Sequence, residues 1–168
     1  MKKLFLLFFV LLIFTLYLPA ADNITGLWHG VDEKTGQTTM YIYIYQYHGK
    51  VFGRMVATYR DGVLKDLYNK PEARAEKWKG DPYYAGMDII WNMEDKGKKW
   101  KKGNICDPKE GKIYGCELWK EKGNLIVRGK IGPFGRNQTW LPADKSELPS
   151  GLDYGNPSEW VPVIPVLK

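Results

Sequence analysis

The chain is poor in the residues that catalysis and metal binding use most. Its 168 residues include two histidines, His29 and His48, and two cysteines, Cys106 and Cys116. No spacing among these four matches a zinc site, whose ligands come in short, paired intervals. A glycine-rich phosphate loop, a nucleophile elbow and a zinc-protease motif are all missing. Asp107 and Glu110 come nearest to a carboxylate pair, but they sit in an Asp-Pro turn, where the Asp is explained by bonds to its own backbone. The sequence therefore predicts a non-enzyme with no metal and no cofactor. Charge of one sign is scarce as well: the formal net charge is +6, and +4 once Lys2 and Lys3 are set aside. That is too mild, without a recognition motif, for a nucleic-acid partner.

Long hydrophobic runs are missing past residue 18. The single run, Leu4 to Leu18, follows Lys2 and Lys3 and ends at Pro19-Ala20-Ala21. This is the layout of a secretory signal peptide, and the run is short for a membrane span. Residues 1–21 are thus expected to be removed, leaving an exported protein, periplasmic or secreted, without a transmembrane span. What remains is enough for one domain, expected over residues 22–141. It is followed by an extended, proline-rich tail, 142–168, with Pro142, Pro149, Pro157, Pro162 and Pro165.

What the chain does have is strand and turn signals. Extended segments are expected at Gly26–Val31, Thr39–Tyr47, Lys50–Tyr59, Met87–Met93, Trp100–Cys106, Lys112–Lys120, Leu125–Ile131 and Arg136–Leu141. They are separated by turn residues such as His48-Gly49, Asp107-Pro108 and Lys122-Gly123. Eight antiparallel strands with mostly short connections suit an up-and-down β-barrel, which also removes exposed sheet edges. Glycines within strands, at Gly53, Gly115 and Gly129, suit the kinks that closure requires. Only residues 60–84 break the regularity, as one long loop or a short helical turn from Asn69 to Trp78.

Four side chains, Tyr41, Tyr43, Tyr45 and Tyr47, share one face of the second strand, with Met40, Ile42 and Ile44 on the other. Because neither face is polar, the tyrosines pack locally, line a cavity or meet a partner. On the cavity reading, Tyr41, Tyr43 and Tyr45, with Met55 from the return strand, would line a ligand site. Five lysines fall within residues 96–102. Lys98, Lys99 and Lys101 are either a solvated hairpin tip or a rim that meets an anionic head group. Cys106 and Cys116 flank the Asp-Pro turn. They form a disulfide if the strand register sets them face to face, and otherwise stay free. The apolar end of the tail either packs on the barrel or offers a partner-binding strand.

The last third of the chain carries a specific resemblance. Asp107-Pro108, Gly111-Lys112-Ile113-Tyr114-Gly115-Cys116, Arg128-Gly129 and Gly135-Arg136-Asn137-Gln138-Thr139-Trp140 resemble the signature of a family of small exported bacterial proteins, a domain of unknown function. Weaker echoes run upstream to Gly26. The resemblance implies a lipocalin-like, calycin-type barrel and carries no catalytic residues. Lipocalins open with a similar Gly-x-Trp, whose Trp closes one barrel end under a late-strand Arg. Here that implies a structural pair of Trp28 with Arg128, or with Arg136 as the other candidate. The expected function is binding of a small hydrophobic or amphipathic molecule. The alternative is an interaction module with a filled barrel. The sequence leaves the oligomeric state open.

Overall fold

The computed structural model describes residues 21–168. The expected signal peptide lies outside the described residues, apart from Ala21. Nine strands form in chain order: β1 (Gly26–Val31), β2 (Thr38–Tyr47), β3 (Lys50–Arg60), β4 (Val63–Leu67), β5 (Asp88–Asp95), β6 (Trp100–Asp107), β7 (Lys112–Glu121), β8 (Asn124–Ile131) and β9 (Phe134–Pro142). All pairings are antiparallel. The order β2-β1-β9-β8-β7-β6-β5-β3, with β2 also paired to β3, closes eight strands into an up-and-down barrel. β4 extends outside that ring as a hairpin partner of β3.

Turn chemistry sets the hairpins. His48-Gly49, Asp61-Gly62 and Lys122-Gly123 all hold positive φ at both central positions (48° and 73°, 53° and 72°, 51° and 86°). This is the type I′ geometry whose twist matches paired strands. The long connection from Tyr68 to Met87 is a loop without the helical turn expected at Asn69–Trp78. Its backbone is pinned by isolated bridges, Leu67 with Lys70 and Arg74 with Tyr83. Its Trp78 is fully buried and donates Nε1–H to the Pro108 carbonyl at 2.8 Å.

The lower half of the barrel is filled. Ile42, Ile44, Val51, Ile90, Met93, Leu118 and Leu125 have no exposed surface, and Trp28 and Trp140 almost none. The segment before β1 covers this end. Trp28 Nε1 donates to the Ile24 carbonyl at 2.9 Å, and Trp100 Nε1 to the Asp22 carbonyl at 3.1 Å. Two glycines allow strands to close in. A Cβ at Gly53 would lie 2.9 Å from Ile44 Cδ1, and the β3–β5 register shifts on both sides of it. Gly103 is tighter still, since a Cβ there would meet the Trp91 carbonyl oxygen at 2.5 Å and the Met93 nitrogen at 2.8 Å.

The expected Cys106–Cys116 disulfide is overturned by register. Cys116 stands opposite Gly103, and Cys106 opposite Ile113, in an unbroken ladder. An odd offset of three residues sends the two side chains to opposite faces of the sheet. Both cysteines are free and buried. Burial pushes the Cys106 thiol up to about 12, helped by the neighbouring Asp107 charge, and it raises Cys116 as well. Neither thiol is therefore a nucleophile at neutral pH.

Two outcomes follow from this packing. Gly103→Ala meets backbone that cannot swing aside, so urea unfolding should show a loss of about 1–3 kcal/mol or more. Gly129→Ala, with nothing closer than 3.8 Å, should stay near wild type. Thiol titration should find both cysteines unreactive in the native protein and both reactive in guanidinium; a silent titration in guanidinium would mean that they are bonded.

Candidate functional site

The upper half of the barrel is hollow. A cavity of about 990 Å³ opens at the end that carries the β1–β2, β6–β7 and β8–β9 turns. Its wall comes from alternate residues of successive strands: Met40 on β2, Met55 on β3, Ile89 on β5, Ile105 on β6, Tyr114 on β7, Val127 and Gly129 on β8, and Gln138 and Trp140 on β9. Gly129 keeps the wall thin there, since a Cβ would just touch Ile105 and Tyr114 at 3.8 and 3.9 Å and anything longer would enter the hollow. Trp140 is the floor, paired with Leu125.

β1 is short, and it meets β9 only from Trp28–Gly30 to Trp140–Pro142. The earlier part of β9 has β8 alone as a neighbour, so the cavity opens sideways between β9 and the β1–β2 turn. Ile131 and Phe134 stand at the hairpin tip, 68% and 78% exposed. Across the gap, Arg136 Nη2 donates to Glu33 Oε2 at 2.7 Å. Asp32 and Asp107 at the rim are occupied by their own turns. Asp32 Oδ1 accepts from the amides of Thr35 and Lys34, which hold its carboxyl below the usual range. Asp107 Oδ1 accepts from Lys109 and Glu110. Thr39, Tyr114 and Gln138 are the uncharged polar side chains in the lining.

Of the residues expected to line a ligand site, only Met55 does so. Tyr41, Tyr43 and Tyr45 lie on the outer face. Ile42 and Ile44, which alternate with them, take the interior and press on Gly53. The tyrosine face is nonetheless covered, because the tail folds back over it. Trp160 packs edge-on against Tyr43 and Tyr45 at 5.7 and 5.2 Å between centroids, and stacks on Tyr68 at 5.6 Å. Beneath it lies a charge pair with almost no exposure, Arg54 and Asp88. Arg54 Nε and Nη2 donate to the two Asp88 oxygens at 3.1 and 2.9 Å, and Nη2 also donates to the Val161 carbonyl at 2.6 Å. The Tyr45 hydroxyl donates to Asp88 Oδ2 at 2.9 Å. Val163 N–H donates to the same carboxylate, and Asp88 N–H to the Val163 carbonyl. Burial, and then the Asp88 charge, raise the Tyr45 phenol well above its ordinary value. Burial alone would lower Arg54, and the bonds to Asp88 more than reverse it.

The lysines are not at the mouth. Lys98 and Lys99 sit at the β5–β6 turn, at the closed end, and Lys99 Nζ lies over the outward-facing Trp119 ring at 3.6 Å. Lys101 is opposite Glu94, near the same end. Nor does Arg128 close the barrel. Val127 and Gly129 face inward, so Arg128 faces out, where its Nη1 donates to Asn137 Oδ1 at 2.9 Å. Trp28 is buried at the closed end and bonds to Ile24 instead. The alternative partner, Arg136, is at the opposite rim with Glu33. The inward set that sequence reasoning missed is Ile105, Tyr114, Val127, Gln138 and Trp140. Its signal was the spacing of two in Tyr114-Gly115-Cys116 and Arg136-Asn137-Gln138-Thr139-Trp140.

A family model described as an uncharacterized protein conserved in bacteria (DUF2147) matches residues 26–141. The chain belongs to this family. Its match begins at β1 and ends in β9, so it takes in every strand of the closed ring and stops short of the tail. No curated protein matches the sequence significantly. Among solved structures, the fold is similar to protein HP1028 from the human pathogen Helicobacter pylori, described as belonging to the lipocalin family. The TM-score is 0.59 at 16% identity, covering 74% of this chain and 86% of that one. This DUF2147 chain is therefore a lipocalin-like barrel. Its hollow interior is compatible with a ligand-binding role.

The tyrosine face gives a pH test. A phenol whose folded pKa is raised stabilises the fold fully below the unfolded value, near about 10, and loses that contribution as pH climbs toward the folded value. Tyr41, Tyr59, Tyr84 and Tyr154 are raised in the same direction by burial, and the two thiols add to it. Urea midpoints should therefore hold steady at neutral pH and fall on the alkaline side. Tyr45→Phe should cost about 1.5–3 kcal/mol at neutral pH, as the loss of a hydroxyl bonded to charged groups, and flatten part of the alkaline slope. An unchanged slope would show that Tyr45 ionises freely.

Proposed function

We propose that this protein is exported and binds a small, mainly apolar ligand in the upper barrel without turning it over chemically. The observation that carries this reading is the hollow of about 990 Å³ above a packed floor. It falls at the top of the range typical of small-molecule sites, which are mostly apolar with a few polar groups that fix orientation. Methionine, isoleucine and valine side chains supply the apolar wall. They reward each buried methylene with about 0.8 kcal/mol. Tyr114 and Gln138 offer a donor and an acceptor part-way up, and Arg136 stands where a polar or anionic head would emerge. Rigid aromatic and aliphatic walls on strands make such a site largely preformed, so little ordering cost accompanies binding.

Export is supported by the Lys2-Lys3 start, the apolar run and the Ala20-Ala21 end of the leader. The rival reading is an interaction module with a filled barrel that works through its tyrosine stripe or its proline-rich tail; the hollow upper half and the tail lying over the stripe favour the ligand-binding reading.

The test is an anilinonaphthalene sulfonate dye, whose emission rises in apolar sites. The mature protein should bind it saturably. Gly129→Leu, which places a branched side chain in the hollow, should weaken binding at least about tenfold, the effect of losing roughly 1.4 kcal/mol, with an unchanged circular dichroism spectrum. Lys98→Ala, Lys99→Ala and Lys101→Ala should bind as wild type does. Equal binding by wild type and Gly129→Leu would put the dye, and the proposed site, elsewhere.

A further inference from the structure

A charge pair on the outer face of a small barrel ordinarily sits in water. Arg54 and Asp88 do not, because the tail supplies what water would have given them. That supply is made of main chain: the Val161 carbonyl, the Val163 N–H and the Val163 carbonyl. One side chain is read as well, the Trp160 indole, held 4.7 Å from the Arg54 guanidinium carbon and among Tyr43, Tyr45 and Tyr68. Val161 and Val163 themselves point away and are 63% and 48% exposed. The socket thus recognises an extended strand that follows a tryptophan, and ignores the side chains two positions apart beyond it.

None of these contacts depends on the covalent link between tail and barrel. The connection, residues 143–153, starts with Ala143 N–H donating to the Leu27 carbonyl at 3.1 Å and packs Leu148 and Leu152 against the core. Tyr41 donates its hydroxyl to the Glu147 carbonyl, Asn69 donates its amide to the Gly151 carbonyl, and Gly151 itself adopts φ 80°. The tail also lies outside the family match, whereas the socket residues lie inside it.

We propose that the socket of Tyr43, Tyr45, Arg54, Tyr68 and Asp88 is a peptide-binding site, and that a second copy of this chain fills it by exchanging the segment from Tyr154 to Lys168. The end of that segment also pairs with the barrel's loop, Lys79 N–H donating to the Val166 carbonyl and Lys168 N–H to the Lys77 carbonyl. The segment seated in the socket is the chain's own, so reciprocal exchange keeps every contact and closes as a two-fold pair. In dilute solution the tethered copy wins through its effective concentration. A crowded or co-localised population shifts the balance to exchange.

Complementation between two full-length variants tests this. Trp160→Ala keeps the socket and spoils the tail, while R54L/D88N spoils the socket and keeps the tail. Each alone should be monomeric by native mass spectrometry, and an equimolar mixture should give a heterodimer. A chain carrying all three changes should pair with neither. A mixture of folded variants that stays monomeric would overturn the proposal. Should either variant fail to fold, a protease site inserted after Gly151 allows the tail to be cut once the wild-type chain has folded. Exchange of the cut tail for a labelled peptide of residues 152–168 is then expected. A cut tail that never exchanges, or a barrel that unfolds on cutting, counts against it. Binding of the peptide without any chain-to-chain complex would refute the second copy as occupant.

Discussion

Closure of the ring between β1 and β9 is the constraint on which the rest of this barrel depends. β1 is six residues long and contacts β9 through three of them, whereas most neighbouring pairs in the ring run longer; β3 and β5 also register at three positions, but around bulges in the middle of the wall rather than at a strand's end. The β1–β9 contacts bring Trp28 and Trp140 onto the inward face two rungs apart, Trp28 beside Pro142 and Trp140 beside Gly30, so the seam that closes the ring also fills its lower end. Above the seam β1 has run out, and the first part of β9 has no partner on that side. A longer β1 would have sealed the wall. The short one leaves a lateral opening, spanned only by the exposed Arg136–Glu33 pair. A surface ion pair of this kind contributes at most about 1 kcal/mol, too little to hold the opening shut. Floor and mouth are thus two results of a single strand length.

The outer face follows a different logic. Removing two charges from water is costly, and it is offset only when every remaining donor and acceptor is matched. Asp88 meets this with Arg54, Tyr45 and the Val163 amide, and Arg54 with Asp88 and the Val161 carbonyl. The tail is therefore not a loose end. Its prolines suit the task, since Pro157, Pro162 and Pro165 restrict the unfolded chain and reduce the entropy lost when the segment lies down. Extended backbone at Val161 and Val163 leaves a carbonyl and an amide free to turn toward the pair.

The eight ring strands could be read from the sequence because alternation and turn residues agree with one another. β4 could not, since Val63–Leu67 is short and mostly exposed, and its pairing depends on the Asp61-Gly62 turn rather than on any apolar pattern. Alternation also says which residues share a face, but not which face turns inward. Both faces of β2 are apolar, and the choice was made across the strand, where Ile42 and Ile44 fit against the bare backbone of Gly53 and tyrosines would not. The cysteines failed for a related reason. A turn fixes proximity, whereas a disulfide needs register parity, and a three-residue offset is invisible without the ladder. For the lysines, an up-and-down ring dictates that the β5–β6 turn lies at the same end as β2–β3 and β7–β8. Which end is open was decided by Trp28, Trp140 and the residues before β1.

Family membership and architecture divide the molecule differently, and the difference is informative. The match ends at residue 141, yet it includes Arg54 and Asp88, whose burial depends on residues beyond it. With those positions uncovered, the pair would be an ordinary solvated one, stabilising little and costing little, and the inner face would be unchanged. The cavity wall uses Met40 and Met55, while the socket uses Tyr43, Tyr45 and Arg54, which occupy the other side of the same two strands. One sheet thus carries the hollow on one face and the tail-covered charge pair on the other, separated by its own thickness, and either face can change without rebuilding the other. A barrel so arranged can keep its hollow interior while residues beyond the family match cover and complete its outer face.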